Sequence, residues 1–166
     1  MFLSRRRLVL IGTVTVIVGV IVLLPLILTI TLPDLSAVDI IVKKIELEDI
    51  SEENIATLKV IFNIKNPTNQ ALTTSKIDYE LNANGESIGE YTKSYVDIPL
   101  NGRPQLLSNT NTNISSVIET PALDEKIGLD LRNNNQSLQD IKWTINGNAI
   151  IESGFSSAPK IFNATW

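Results

Sequence analysis

The sequence of 166 residues contains no cysteine and no histidine, and its only methionine is Met1. The absence of cysteine excludes disulfides, a thiolate nucleophile and a thiolate metal site. The absence of histidine removes the usual general base, the commonest zinc ligand and any Ser-His-Asp triad. We therefore expect no enzymatic activity, no metal and no other cofactor, and a fold that is stabilised by packing.

Positive charge is also scarce in the segment 33–166. That segment holds all 18 acidic residues but only 11 of the 14 basic ones, a net charge of −7. Nucleic-acid binding needs clustered lysine and arginine to neutralise phosphates, so this balance argues against a nucleic-acid partner. It argues in the same way against adsorption to an anionic lipid surface.

Charge is absent altogether from Leu8 to Leu32, a run of 25 residues directly behind Arg5-Arg6-Arg7. A helix of that length, at ~1.5 Å per residue, spans roughly 37 Å and can cross a hydrocarbon core of about 30 Å. Pro25 predicts a modest kink, because it removes one helical hydrogen bond. We expect a single transmembrane helix, which makes the lipid bilayer the first predicted partner of the chain.

Two other interpretations of this run stay open, a cleaved signal peptide and a buried globular helix. A signal peptide has an apolar region of about 7–15 residues, and the only nearby cleavage site, Leu35-Ser36-Ala37, is weak. A buried helix would have to cover apolar side chains on every face. The arginines before the run place the N-terminus in the cytoplasm by the positive-inside rule. The predicted organisation is a basic cytoplasmic N-terminus 1–7, a transmembrane helix 8–32, a spacer 33–40 and an extracytoplasmic domain 41–166 in the cell membrane.

Beyond the run, apolar and polar residues alternate, as in the half-buried strands of antiparallel sheets. The segment Thr57–Lys65 shows the pattern best. The alternating apolar sets are Ile45 and Leu47, Leu58 to Ile64, Ile77 to Leu81, Val96 to Leu100, and Ile141 to Ile145.

Turn signals separate these sets. Asn66-Pro67-Thr68-Asn69 predicts the end of a strand, because proline donates no ladder bond. Asn84-Gly85, Asn101-Gly102 and Asn146-Gly147 predict hairpin turns, since both residue types tolerate positive φ. Strands at a spacing of about ten residues predict an all-β fold, an antiparallel β-sandwich.

One segment departs from the strand pattern. Thr120-Pro121 resembles a helix N-cap followed by a first-turn proline, and Asp124-Glu125 would lie at the positive end of the helix dipole. Leu123 and Ile127 lie four residues apart on one face. These features predict a short helix that ends near Leu131, although Gly128 weakens it.

The segment Phe62–Glu90 resembles the water-stress and hypersensitive-response (WHy) domain of the type-two late embryogenesis abundant family. It carries a strand ending in Asn66-Pro67, a strand with Tyr79, and the hairpin glycines of Asn84-Gly85 and Ile88-Gly89. It departs from the family pattern at Thr68, where asparagine is commoner. The stretch Trp143–Phe162 is similar to the family's closing hairpin, with Asn146-Gly147 at its turn.

The resemblance extends over about Val38 to Phe162. A basic N-terminus, one anchor and a WHy-type domain are similar in plan to plant NDR/HIN-like membrane proteins. The resemblance implies an immunoglobulin-like or fibronectin-like sandwich of about seven strands with one short helix. It implies no catalytic residues, and it implies a role in stress or desiccation tolerance.

Three sequons, at Asn113, Asn135 and Asn163, make N-glycosylation of an extracytoplasmic domain possible. The alternative is chance, because a chain rich in asparagine, serine and threonine often contains such sequons. The adjacent acids Glu52-Glu53 and Asp124-Glu125 are more typical of solvated charge than of a catalytic carboxylate pair. The alternation Asn109–Asn113 is typical of a soluble edge strand rather than of a ligand-binding ladder. Trp143 alternates with apolar residues and is predicted to lie in the core.

Three functional hypotheses follow. The first is a non-enzymatic membrane protein that presents a WHy-type sandwich, related to stress or desiccation or acting as an envelope interaction module with a membrane or envelope protein as partner. The second is a structural accessory subunit of a membrane or cell-surface complex. Against the second, Gly12 and Gly19 form no Gly-x-x-x-Gly helix-pairing motif. The third, an extracytoplasmic hydrolase, is disfavoured by the missing histidine and cysteine.

Overall fold

The computed structural model describes residues 5–133, 138, 141–154 and 156–166. Contacts divide the chain into two units, Met1–Leu32 and Pro33–Trp166. The first unit contains helix α1, Arg5–Thr31, which is long and apolar enough to span a membrane. A signal sequence or the core helix of a soluble protein would meet the same criterion.

The polar side chains of α1 include two hydroxyls that bond within the helix. Thr13 donates to the carbonyl oxygen of Val9 at 3.0 Å, and Thr15 donates to that of Ile11 at 2.9 Å. Such back-bonding satisfies a hydroxyl without a partner outside the helix. These two threonines therefore do not oppose an apolar environment.

The second unit is an antiparallel β-sandwich, as predicted. Its elements are β1 (Asp39–Ile50), β2 (Ala56–Asn66), β3 (Leu72–Ala83), β4 (Glu86–Ser94), β5 (Gln105–Leu106), β6 (Thr110–Glu119), α2 (Glu125–Asn133), β7 (Trp143–Glu152) and β8 (Ser157–Thr165). One sheet has the order β1-β2-β6, and the other has the order β4-β3-β7-β8 with β5 paired to β3. The described residues form eight strands where about seven were predicted, and the extra strand, β5, has only two residues.

The alternation seen in the sequence places one face of each sheet in the core. In β2, the apolar residues Leu58, Val60, Phe62 and Ile64 are fully buried. The ring of Phe62 meets that of Tyr79 in the opposite sheet edge-on, with centroids 5.1 Å apart. Trp143 is also fully buried, which confirms its predicted position, and its indole N–H donates to the carbonyl oxygen of Leu138 at 3.1 Å.

The turn predictions had mixed outcomes. Asn84-Gly85 forms the β3–β4 hairpin with φ of 53° and 91°, as predicted. The prediction for Asn146-Gly147 was wrong, because both residues lie inside β7. A Cβ at Gly147 would come within 2.4 Å of the Phe162 ring. The glycine therefore makes room for an aromatic side chain of the neighbouring strand rather than forming a turn.

The predicted strand at Val96–Leu100 was also wrong. These residues lie in the loop between β4 and β5, and Leu100–Gly102 forms a 3-10 turn, so Asn101-Gly102 is not a two-residue hairpin. Pro99 cannot donate a ladder hydrogen bond. The side chain of Arg103 donates hydrogen bonds to the carbonyl oxygens of Ile98 and Val96, and a neighbouring strand would need these oxygens for its own backbone pairing.

A short helix is present, but it begins at Glu125 rather than after Thr120. The predicted N-cap at Thr120 was wrong, because its backbone N–H donates to Ala56 at 2.9 Å and its hydroxyl accepts from the N–H of Ala56 at 3.0 Å. Thr120 therefore extends the pairing with β2. Gly128 lies against Asn54, whose side chain a Cβ at this position would meet at 2.5 Å.

Candidate interaction surface

The described residues include no group of three or more carboxylates arranged to hold a metal ion. Glu52-Glu53 lie with Asp49 and Glu119 around an open cleft of about 470 Å³ at the end of the sandwich that carries the β1–β2 turn. Asp124 directly precedes α2, and Glu125 is its first residue. The two pairs of adjacent acids therefore lie at different places, Glu52-Glu53 at the cleft and Asp124-Glu125 at the start of α2.

Two of the predicted glycosylation sites lie on strands at the sheet edges of the described fold. Asn113 is exposed on β6, where its Oδ1 accepts from the amide of Asn63 at 2.8 Å. Asn163 is exposed on β8 and donates to the side chain of Asn146. Asn135 lies outside the described residues. Modification of all three stays a prediction, and the exposure of the first two places them on the surface of the sandwich.

The polar alternation Asn109–Asn113 leads into β6, the edge strand of the three-stranded sheet among the described residues. The side chains of Asn111 and Asn113 are exposed. Polar side chains keep an exposed edge strand soluble, so this placement agrees with the predicted soluble edge.

The antiparallel arrangement gathers residues distant in sequence at one end of the sandwich, which we call the near end because β1 enters it directly from residues 33–38. Asp39 at the start of β1 pairs with Lys65 near the end of β2. In the other sheet, Leu72 pairs with Leu106, and Thr73 pairs with Glu152. The loop 95–104 connects β4 to β5 at this same end.

Four large apolar side chains are exposed in the described loops of the near end. Val96, Ile98 and Leu100 belong to the loop 95–104 and are 56%, 39% and 50% exposed, and Leu107 in the turn before β6 is 57% exposed. Val96, Ile98 and Leu100 lie within five residues of one loop, and exposed apolar residues close together mark a candidate interaction site. Sequence analysis missed this site because the alternation Val96-Ile98-Leu100 resembles a half-buried strand.

Arg103 holds the loop in place. Its Nε donates to the carbonyl oxygen of Ile98 at 2.8 Å, and its Nη2 donates to that of Val96 at 3.2 Å. Its Nη1 forms an ion pair with Glu152 at 2.5 Å, with both side chains mostly buried. One guanidinium therefore fixes the loop to the end of β7 and keeps the apolar side chains turned outward.

Charge is divided unevenly along the sandwich. Counted by strand register up to the level of Lys44, the near half holds seven basic residues and five acidic ones, a net charge of +2, so the other residues of 33–166 carry −9. The acids are Asp34, Asp39, Asp78, Asp97 and Glu152. The basic residues are Lys43, Lys44, Lys65, Lys76, Lys93, Arg103 and Lys160. We call the six lysines, together with Val96, Ile98, Leu100 and Leu107, the near-end surface, and we leave out Arg103 because its side chain is only 13% exposed.

Local contacts lower the pKa of three carboxyl groups in the sandwich. Hydrogen bonds from the Ser36 hydroxyl and backbone hold the pKa of Asp34 below its usual value. The Lys44 ammonium, 2.8 Å from Glu46, lowers the pKa of that carboxyl. Burial alone would raise the pKa of Asp78, but hydrogen bonds from Lys76 and Thr92 bring it below its usual value. All three remain ionised at neutral pH.

Comparison with known proteins supports the fold. No protein-family profile matches the sequence, and no curated protein matches it. The solution structure of an Arabidopsis thaliana protein is similar at a TM-score of 0.53 and 13% identity, covering 75% of this chain and 76% of that one. At this identity the similarity shows the β-sandwich fold alone.

Two further structures are similar at lower scores. A crystal structure of a protein from Archaeoglobus fulgidus has a TM-score of 0.48 and 12% identity, covering 77% of this chain and 92% of that one. The solution structure of a protein assigned provisionally to the late embryogenesis abundant group has a TM-score of 0.44 and 14% identity, covering 100% of this chain and 92% of that one.

Proposed function

We propose that this chain is a non-enzymatic, single-pass membrane protein in which α1 holds a WHy-type β-sandwich outside the cytoplasm. The observation that carries the proposal is a helix of 27 residues whose charged residues are all at its start, Arg5-Arg6-Arg7, followed after a few residues by a folded sandwich. Its length of roughly 40 Å exceeds a hydrocarbon core of about 30 Å. The arginines favour a cytoplasmic N-terminus.

The proposed role is protection during water stress or interaction within the cell envelope. The resemblance of Phe62–Glu90 and Trp143–Phe162 to the WHy domain supports the stress role. The sandwich supports a binding role, since its sheet edges and end loops can contact partners without any catalytic group. A tether also raises the local concentration of the domain near other membrane components.

Topology can be tested with single cysteines, because the natural chain has none. Ser87→Cys lies in the exposed β3–β4 hairpin, and Ser4→Cys precedes α1. On intact cells, an impermeant maleimide should label Ser87→Cys and should label Ser4→Cys only after permeabilisation. The reverse pattern would overturn the proposed orientation. Release of the chain by alkaline carbonate, with loss of residues 1–32, would instead indicate a cleaved signal.

The stress role needs a separate test. Cells that produce the chain should survive drying better than cells that lack it, and a chain deleted for residues 33–166 should give no protection. Equal survival of all three would contradict the stress role. Stable co-purification with defined membrane proteins after mild detergent extraction would favour the accessory-subunit alternative, whereas recovery of the chain alone would count against it.

A further inference from the structure

We propose that the free edge of β6 binds a second copy of this chain, and that the two β6 strands pair antiparallel about a two-fold axis at Ser115. Strand addition of this kind uses backbone hydrogen bonds, and the same surface serves on both copies. The pairing would join two three-stranded sheets into one sheet of six strands. It involves residues of the second unit alone, so it goes beyond the proposed function and does not depend on the anchor.

The other edge strands of the described sandwich carry features that oppose pairing with another chain. One sheet ends at β1 and β6, and the other ends at β4 and β8. The register of β1 along β2 shifts at two points, and β1 contains Lys43-Lys44. The register of β4 along β3 shifts once, and β4 contains Lys93. Strand β8 contains Pro159 and Lys160. Lysine, proline and bulges are the usual means by which proteins block an edge.

Strand β6 has none of these features. It pairs with β2 through ten consecutive residues without a register shift. It contains no proline, lysine or arginine, and its single charged residue, Glu119, is its last. No other described strand pairs with its second edge. A long and regular strand with such an edge is a template for another strand.

The backbone of β6 directs hydrogen-bonding groups toward this free edge. The N–H of Thr120, next to the end of β6, donates to the carbonyl oxygen of Ala56 at 2.9 Å. Hydrogen-bonded and non-hydrogen-bonded pairs alternate along an antiparallel ladder, so every second residue of β6 directs its N–H and C=O away from β2. These outward-facing residues are Asn111, Asn113, Ser115, Val117 and Glu119, and the side chains of all five are exposed.

A second copy fits this edge because β6 is self-complementary. With Ser115 facing its own counterpart, Asn113 faces Val117 of the second copy. Asn111 then faces Glu119, so the one charge on each strand meets an uncharged side chain and no like charges are opposed. All five outward-facing residues form pairs in this register, and sliding one strand by two residues would lose one of the pairs. The side chains therefore select the register centred on Ser115.

The register can be measured on the full chain in detergent, with empty micelles in excess so that chains do not share a micelle by chance. A glycan at Asn113 would cover the edge, so the chain is used unglycosylated. Nitroxides on Ser115→Cys should broaden each other's spectra, because Cα atoms in a hydrogen-bonded pair are about 5.5 Å apart. Nitroxides on Glu119→Cys should lie roughly 27 Å apart, which is eight residue steps along the strands.

The matched control for this measurement is Ile161→Cys, because Ile161 is 80% exposed on β8, an edge strand of the other sheet. Nitroxides at this position should show no broadening. Narrow spectra at position 115, or equal broadening at positions 115 and 161, would overturn the pairing.

A charge exchange tests the two-fold axis, because Ser115 is the residue that faces its own counterpart. Energy transfer between donor and acceptor dyes on Ser87→Cys measures the association of chains. Ser115→Lys alone and Ser115→Glu alone should each weaken it roughly fivefold, and a mixture of the two should restore it. Val117→Lys is the control, since this residue faces Asn113 and should weaken the association less.

The outcomes also separate this pairing from other contacts between chains. Equal weakening by Val117→Lys and Ser115→Lys, or no recovery in the mixture, would overturn the proposed register. Association that none of these substitutions changes would arise elsewhere, for example between α1 helices, and would overturn the pairing of β6. None of these results bears on the proposed anchor, which the labelling of Ser87→Cys and Ser4→Cys on intact cells tests separately.

Discussion

Asn66 donates its side-chain amide to the carbonyl oxygen of Leu106, 40 residues further along the chain, at 2.8 Å. The same amide donates to the carbonyl oxygens of Gln70 and Leu107, and its Oδ1 accepts from the backbone N–H and the hydroxyl of Thr68. The side chain is fully buried. Asn66 therefore joins the loop after β2 to the turn after β5 and links the two sheets at the near end.

Asn66→Ala should destabilise the sandwich by about 2–4 kcal/mol, because it removes several hydrogen bonds made by a fully buried side chain. Urea unfolding of the full chain in detergent, followed by the fluorescence of the buried Trp143, measures this loss. Asn69→Ala is the control, since Asn69 is exposed in the same loop, and its effect should stay within about 0.5 kcal/mol. If the two variants unfolded with the same midpoint urea concentration, the linking role of Asn66 would be contradicted.

Much of the sandwich could be predicted from sequence because its strands are half-buried and so alternate. The set Leu58 to Ile64 and the hairpin at Asn84-Gly85 depend on neighbours close in sequence, and both predictions were confirmed. Asn146-Gly147 has the same local signal as Asn84-Gly85. Its conformation is decided instead by Phe162 on β8, a contact between strands that local preferences cannot reveal.

The near-end surface could not be predicted, for a related reason. Val96-Ile98-Leu100 alternates as a strand does, and only the folded structure shows these side chains facing outward. The net charge of the whole segment 33–166 also gives no sign that basic and acidic residues are concentrated in different halves of the sandwich. Lys65, Lys93 and Lys160 are about 30 or more residues apart in sequence, and the antiparallel strands bring them to the same half of the sandwich.

Gly147→Ala should destabilise the sandwich by about 1–3 kcal/mol, because the added methyl would overlap the Phe162 ring and lie 2.8 Å from the backbone oxygen of Asp78. Gly154→Ala is the matched control, since a Cβ there meets no atom within 4 Å. Urea unfolding should separate the two variants clearly. A Gly147→Ala chain as stable as Gly154→Ala would show that β7 and β8 adjust to the methyl without cost.

The ion pair of Arg103 and Glu152 should contribute more than a surface pair, because the side chains are only 13% and 21% exposed. Arg103→Lys should destabilise the chain by about 1–3 kcal/mol, since lysine cannot also reach the carbonyl oxygens of Val96 and Ile98. A double-mutant cycle of Arg103→Met with Glu152→Gln removes both charges, so it isolates the pair and should give a coupling of about 1 kcal/mol or more. The same cycle on the exposed pair Lys44–Glu46 should give about 0.5 kcal/mol or less, and equal couplings would contradict the structural role.

Tyr79 should make the sandwich sensitive to alkali. Its side chain is 3% exposed, and burial raises the pKa of the phenol from 10.0 to about 12. The unfolded chain therefore releases this proton first, so the free energy of unfolding is unaffected below pH 10 and falls as pH rises toward 12, by roughly 2–3 kcal/mol from this group. Urea unfolding at about pH 9 and about pH 11.5 measures the fall, which Tyr79→Phe should reduce by most of that amount. Tyr95→Phe removes a less buried phenol and should leave most of the fall in place, and an equal fall in the natural chain and in Tyr79→Phe would contradict the assignment.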